Sequence, residues 1–339
     1  MKLTSVLFAQ HIGKTFERHW RVQSRRVPLP TKAEEILKAN GITVYEPGEI
    51  LKEKQEFPES ILTSHVFEAT QLKLPKLKDP ARPAWVFPRP YGITDKRRNE
   101  LLSLKLVHLC EMACGRSVGR SLLQNERVCF PFEKDGDLIQ LDLTVNFLLN
   151  LSKPLPSYAS VEEVESTKDI PLPDLYPIKH TVTLTKENIY EIQNIFSFPK
   201  RCPFPHVHTA IIHYEDTEVK NLYEEPVTEK QILGRTLLKA FAVAGANARQ
   251  RFGDDVKDLP EPITLQCVHT DGRLFHFAVF QLNTLDLDGT EGVRNILWTL
   301  PRMPLFGECQ YEDGKPSLKD YNKEVFQHLL AFYANGLKM

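Results

Sequence analysis

The 339-residue sequence lacks a dominant charge sign: 43 Lys+Arg face 44 Asp+Glu, for a formal net charge of −1. That balance argues against a generally basic nucleic-acid binder. No run of 18 apolar residues occurs, so no membrane span is expected; the longest apolar patches, such as Phe275 to Phe280, are strand-sized. There is no C-x-x-C, no Walker A loop, no G-x-G-x-x-G and no H-E-x-x-H, which removes the familiar zinc, nucleotide and metalloprotease signatures. The six cysteines are too few, in a chain of this size without a secretory signal, to suggest a disulfide scaffold. Cys110 and Cys114 stand four apart on an expected helix with no second ligand pair, so buried thiols are the reading.

What is present is an ordinary globular composition, 42% hydrophobic and 26% charged, with length for about two domains. The near-zero total hides a split. Residues 1–32 carry seven basic residues against Glu17 alone, a net +6, which leaves −7 for the remainder. An Arg-rich, acid-poor start with Leu3, Val6 and Leu7 on one helical face reads as a mitochondrial transit peptide over residues 1–30. Its removal is expected between about Ser24 and Pro30. Residues 31–99 read as an N-terminal extension and arm, opening on a Thr31/Glu34 capping box and an Asn40-Gly41 stop.

Within it, residues 71–99 carry Pro75, Pro80, Pro83, Pro88 and Pro90, which excludes a helix or a central strand. They also carry eight basic residues against Asp79 and Asp95, with Trp85, Phe87 and Tyr91 interleaved. An extended basic arm of this kind suits a phosphate backbone and unstacked bases. The candidate rRNA-binding residues are Lys73, Lys76, Lys78, Arg82, Trp85, Arg89, Lys96, Arg97 and Arg98. A solvated linker is the competing reading.

Residues 100–170 read as an N-terminal α+β part. Thr94 caps a helix with Leu102, Leu106, Leu109 and Ala113 on one face. A hairpin over Arg127 to Asn150 turns at Lys134 to Asp137, and its second arm places Leu141, Leu143, Val145 and Phe147 on one side. Val161 to Lys168, between prolines, fits one short helix. Residues 171–339 read as a C-terminal α+β domain. Strands are expected at Thr181 to Leu184 and Thr209 to Tyr214. A long helix spans Glu229 to Phe252, with Thr228 and Gln231 as its capping box, Arg249 and Arg251 complementing its dipole, and Gly253 as its stop. Leu237 to Ala248 is apolar or small almost all round and should be buried. Ile263 to Val268 and Leu274 to Leu282 form a hairpin through Asp271-Gly272, the second strand central. A last helix starts near Ser317, with Leu318, Tyr321, Val325, Leu329 and Phe332 on one face. The fold class is α+β: a mixed or antiparallel sheet with packed helices, plus the basic proline-rich arm.

Catalytic candidates are thin. Gly115-Arg-Ser117-Val-Gly119 matches G-x-S-x-G, but a nucleophile elbow needs a strand before the Ser, and a helical stripe precedes it. His206 and His208, with His213, form the densest histidine cluster; surface histidines at a loop-to-strand junction are the preferred reading over a metal site. Asp286, Asp288 and Glu291 do not meet the EF-hand order and read as a carboxylate-rich turn. His276 reads as a satisfied core histidine. Nothing assembles nucleophile, base and orienter, so no catalytic residue, metal or cofactor is assigned.

The stretch TDGRLFHFAVFQLNTLDLDGTEGVRN, Thr270 to Asn295, resembles a characteristic segment of a mitochondrial large-subunit ribosomal protein family, that of protein 37 and its homologue, programmed cell death protein nine. Tyr158 to Lys168, Leu175 to Ile178, Asn188 to Ile192, the helix around Lys239 to Phe252 and Leu330 to Ala334 add matches in the family's order. The resemblance implies a structural protein of the mitochondrial ribosome, in the matrix, that supports mitochondrial translation and has no catalytic residues. Its implied partners are large-subunit rRNA, neighbouring mitoribosomal proteins and the homologous programmed cell death protein nine. A mitochondrial scaffold outside the ribosome, or a metal- or serine-dependent hydrolase, are the alternatives.

Overall fold

The computed structural model describes residues 94–114, 119–134, 136–170, 192–198, 201–214, 228–288, 292–312 and 315–336, and the backbone of short strand segments at 72–73, 78–79, 82–86, 91–92 and 181–183. The transit-peptide reading and the Thr31/Glu34 cap lie outside the described residues.

Strands β1 (Leu72–Lys73) and β4 (Tyr91–Gly92) pair antiparallel, as do β2 (Lys78–Asp79) and β3 (Arg82–Val86). These are two-stranded ribbons, and Pro83 sits in one of them, where a missing donor is tolerated. Helix α1 (Asp95–Cys114) follows, its Arg97 amide donating 3.3 Å to Thr94 Oγ1 at the expected cap.

The body is one mixed eight-stranded sheet. Its main path runs β11 (Ile296–Thr299), β10 (Leu274–Thr284), β9 (Asp258–Thr270), β8 (His206–His213), β6 (Asp137–Leu151), β5 (Arg120–Lys134). Strand β7 (Thr181–Thr183) pairs parallel with β6, and β12 (Met303–Pro304) pairs with β10. Strands β8 and β9 are parallel, linked by α3 (Glu229–Phe252); the other main-path neighbours are antiparallel. The sheet draws strands from both sides of residue 170.

Each face has its own core. On one, α3 packs against the sheet and is buried without interruption from Thr236 to Ala248, in a core that includes Phe130 and Phe132 of β5 and Phe196 and Phe198 of the 192–198 loop. Phe241 meets Phe130 and Phe132 edge-on at 5.3 and 5.4 Å. On the other face lie α1 and α4 (Lys323–Ala334), with Phe277 edge-on to Phe332 at 5.4 Å. Strand β10 feeds both: Ala278, Phe280 and Leu282 toward α3, Phe275, Phe277 and Val279 toward α4. That explains its apolar run on both faces. Each fully buried Phe or Leu contributes about 1.5–3 kcal/mol relative to exposure.

The predicted α3 has the expected limits, capping box and Gly253 stop in the structure. The β9–β10 turn is also as expected: Gly272 has φ of 91°, and a Cβ there would strike the Asn99 carboxamide. Val161 to Lys168 becomes α2 (Val161–Ser166) and a 3-10 turn (Thr167–Asp169), with a reciprocal Ser160/Glu163 cap that sequence reading overlooked.

Two expectations need correction. The last helix starts at Lys323, not Ser317. Lys315–Lys319 is instead a strand, β14, paired with β13 (Glu308–Glu312); Asp320 turns the chain with φ of 55°, and the Asn322 side chain caps the helix. Leu318 and Tyr321 still reach the same core, which is why they fitted the helical stripe. Phe147 does not share a side with Leu141, Leu143 and Val145; it lies with Leu149 in the α1/α4 core, and Leu148 takes its place toward α3. The alternation breaks beside Asn146, opposite Asn125, which adopts φ of 55° and is skipped in the ladder.

Candidate functional site

The predicted RNA-binding residues fall on three kinds of position. Lys73 lies on β1, Lys78 on β2, and Arg82 and Trp85 on β3, where the backbone alone is described. Lys76 and Arg89 lie outside the described residues. Lys96, Arg97 and Arg98 occupy the first turn of α1; Lys96 and Arg97 are exposed. Arg98 pairs with Asp95 at 2.8 Å and Arg97 with Glu100 at 3.8 Å. Such exposed pairs contribute about 0–1 kcal/mol, so both guanidinium groups can exchange partners at small cost.

Of the three clustered histidines, His206 and His213 are half-buried at the ends of β8 and only His208 lies wholly inside. His208 is fully buried, at a bulge where β6 and β8 slip by one residue. Its Nε2 donates to the Asn335 carbonyl at 2.9 Å, and its Nδ1 accepts from Thr209 Oγ1 at 2.9 Å. Gln266 completes the network by donating to Thr209 Oγ1 and the Phe332 carbonyl and accepting from Asn335 Nδ2. Both ring nitrogens of His208 are thus engaged, and the network ties the C-terminal end of α4 to the middle of the sheet. Burial, with the Arg120 charge, drives the His208 pKa down to about 3.

A second buried group sits where β8 and β9 end. Lys239 Nζ donates to His269 Nε2 at 2.9 Å; His269 Nδ1 donates to Thr236 Oγ1 at 2.7 Å, which donates on to the Ile232 carbonyl. Tyr214 packs on His269 and reaches toward His276, and Ser103 of α1 bonds His213 at 2.8 Å. Burial first, then the Lys239 charge, holds His269 well below its ordinary pKa and His213 at about 3. Burial brings His276 to about 4. These groups form a core network joining α1, α3 and the sheet, in which, among the described residues, His213 Nδ1 is left without a partner. His276 has the core placement expected of it, and His208 corrects the surface reading, while His206 and His213, at the two ends of β8, are half-buried.

Ser117 lies outside the described residues. The elements around it run helix α1 then strand β5, the reverse of a nucleophile elbow. Cys110, Cys129 and Cys267 are buried, and all six cysteines are free thiols. Burial raises Cys267 to about 12 and Cys129 to about 11, which makes both poor nucleophiles. Asp286 and Asp288 share Lys257 at 3.6 and 3.9 Å, as a carboxylate-rich turn would. Among the described residues no three His, Cys, Asp or Glu side chains cluster as a metal set, and no helix is long and apolar enough to cross a membrane.

The stretches that carry the family resemblance meet in space. Gln281 Oε1 accepts the Tyr158 and Ala159 amides, each at 2.7 Å, and Arg294 N donates to Thr167 Oγ1 at 2.9 Å. Asn295 Oδ1 accepts from the amides of Asn283 and Thr284 while its Nδ2 donates to the Thr284 carbonyl. Tyr158–Lys168 and Thr270–Asn295 therefore form one hydrogen-bonded unit around a cavity of about 890 Å³ beside α2. Sequence reading treated these stretches separately, because side-chain amides bridging more than 100 positions leave no local signal.

Most of the buried histidines, amides and hydroxyls described above bond to one another or to the backbone and hold the helices to the sheet. The family described as Mitochondrial 28S ribosomal protein S30 (PDCD9) matches residues 150–336, and the chain belongs to it. The chain is 36% identical over 228 residues to the protein of Rattus norvegicus named Large ribosomal subunit protein mL37, covering 64% of this chain and 52% of that one. It is 33% identical over 242 residues to the Gallus gallus protein of the same name, covering 68% and 56%. The chain spans about half the length of the curated relatives it matches.

Proposed function

We propose that this chain is a structural component of the large subunit of the mitochondrial ribosome, resident in the mitochondrial matrix, and that it supports mitochondrial translation without catalysis. The identity to proteins named for the large subunit, over 228 to 242 residues, carries this reading. The family description carries a 28S designation instead, but it covers the shorter 150–336 span, and the named relatives match residue by residue.

Charge supports a division of labour. The remainder after residue 32 is net −7, which does not favour phosphate neutralisation over a broad surface. The body is therefore held mainly by neighbouring ribosomal proteins, the homologous programmed cell death protein nine among them. The arm through Lys73, Lys78, Arg82, Trp85 and the first turn of α1 supplies the phosphate-backbone contact with rRNA. Affinity capture of a tagged chain, followed by rRNA quantification, tests the assignment. Enrichment of large-subunit rRNA over small-subunit rRNA is expected; equal or absent enrichment would reject it and favour a scaffold outside the ribosome.

A further inference from the structure

We propose that the cavity at the C-terminal end of α3 receives a guanine base extruded from single-stranded RNA, an inference that rests on the ribosomal reading above. The cavity measures about 460 Å³ and is lined by Arg249 and Gln250 of α3, by Asp254 just beyond it, and by the apolar Pro131, Ile192 and Phe196. Its walls come from three separate segments, β5, the 192–198 loop and the end of α3.

Arg249 and Asp254 bear opposite charges across one cavity. Among the described residues neither side chain makes a hydrogen bond or an ion pair. The guanidinium lies 5.0 Å over the Phe130 ring, which is itself fully buried, so its plane is held. The helix dipole accounts for a positive charge at this end of α3. It does not account for a cavity, nor for a carboxylate facing it.

The charge pattern decides the ligand. Asp254, Asp255 and Glu133 all act on Arg249, and they would repel a phosphate or a partner carboxylate. A base edge that carries both donors and acceptors fits instead. Guanine presents O6 and N7, which accept from a guanidinium. Its N1–H and N2–H donate to a carboxylate. Adenine reverses the pattern, with a donor at N6 and an acceptor at N1, and so meets Arg249 and Asp254 with like against like. Ile192, 64% exposed, supplies an apolar side chain at the rim against which an unstacked base can lie, with the edge of the buried Phe196 behind it.

The test uses the full chain and fluorescence anisotropy with labelled uridine heptamers carrying one central guanosine or one central adenosine. The guanosine oligomer is expected to bind about tenfold more tightly. Arg249→Met and Asp254→Ala should each abolish that preference; Asp254 is exposed, so Asp254→Ala should leave the melting temperature unchanged and keeps the test independent of folding, while Arg249→Met gives up the contact with Phe130 and should melt slightly lower. Equal binding of the two oligomers, or a preference that survives both substitutions, would overturn the proposal. That result would leave the cavity to a segment of a neighbouring protein. GMP serves as a competitor. Displacement by GMP at the concentration at which the RNA binds would assign the site to a free nucleotide and reject the RNA source. Loss of guanine preference in a chain still found in the large subunit removes this site alone. Guanine preference in a chain absent from the large subunit removes the ribosomal reading instead.

Discussion

Replacing Gly245 by alanine sets two known effects against each other. Alanine in a helix interior is favoured over glycine by about 1 kcal/mol. At Gly245, however, a Cβ would stand 2.6, 2.7 and 2.9 Å from three atoms of the Phe130 ring. That ring cannot swing away: Phe132 stacks on it at 5.7 Å and Phe241 meets its edge at 5.3 Å. Forcing an extra carbon into such a core costs about 1–3 kcal/mol. The steric cost therefore outweighs the propensity gain, for a net loss of up to about 2 kcal/mol. Gly234, eleven residues earlier in α3 and also buried, has nothing within 4 Å of its virtual Cβ. Gly234→Ala should stabilise by up to about 1 kcal/mol. The two variants should thus move the thermal midpoint in opposite directions, by about 2–4 °C per kcal/mol. Calorimetry on both reads the sign directly. A Gly245→Ala protein that melts above the parent would refute the packing of α3 against β5 described above.

Other consequences can be measured with equal economy. Asp142 is 1% exposed and takes two hydrogen bonds from Arg127, at 2.9 and 3.3 Å. Arg127 is 40% exposed, so solvent screens the pair; Arg127→Met should cost about 1–3 kcal/mol by leaving the Asp142 carboxylate short of donors, and the Arg127→Met/Asp142→Leu double variant should recover most of it in urea unfolding. His208, His213 and His276 have folded pKa values lowered to about 3, 3 and 4. For groups depressed in this way the unfolded chain binds more protons, so their stability is complete above pH 6.5. It is lost as pH falls toward 4 and then 3, at about 1.4 kcal/mol per group per pH unit. The urea midpoint should fall between pH 7 and pH 4.5, and an unchanged midpoint would contradict the burial of these rings. Glutamate at Lys73, Lys76, Lys78 and Arg82 together should reduce incorporation into the large subunit, read by western blot of gradient fractions; normal incorporation would make the arm a linker.

The legible parts of the fold were those in which a local rule and the tertiary structure agree. Thr228, Gln231 and Gly253 delimit α3 by capping chemistry that acts within four residues, and the Asp271-Gly272 turn needs only a positive φ. What escaped depends on contacts between distant residues. Lys315–Lys319 carries a pattern that suits either a helix or a strand, and its pairing with Glu308–Glu312 decides for the strand. Phe147 changed faces because of one irregular position, Asn125, on the neighbouring strand. His208 read as a surface group because its partners, Asn335 and Thr209, include one that lies 127 positions away. The Arg249/Asp254 cavity had no signature at all, since Arg249 already had an explanation as a helix-end charge and Ile192 and Pro131 come from other segments. The family resemblance, by contrast, rested on long ordered stretches, and two of them are hydrogen-bonded to one another.

The most direct test of the central claim is sedimentation of a mitochondrial lysate through a sucrose gradient, with this chain followed by antibody. The account predicts co-migration with the large subunit that survives moderate salt, because a body of net −7 held by proteins depends little on phosphate contacts. Migration as a free, light species would contradict it.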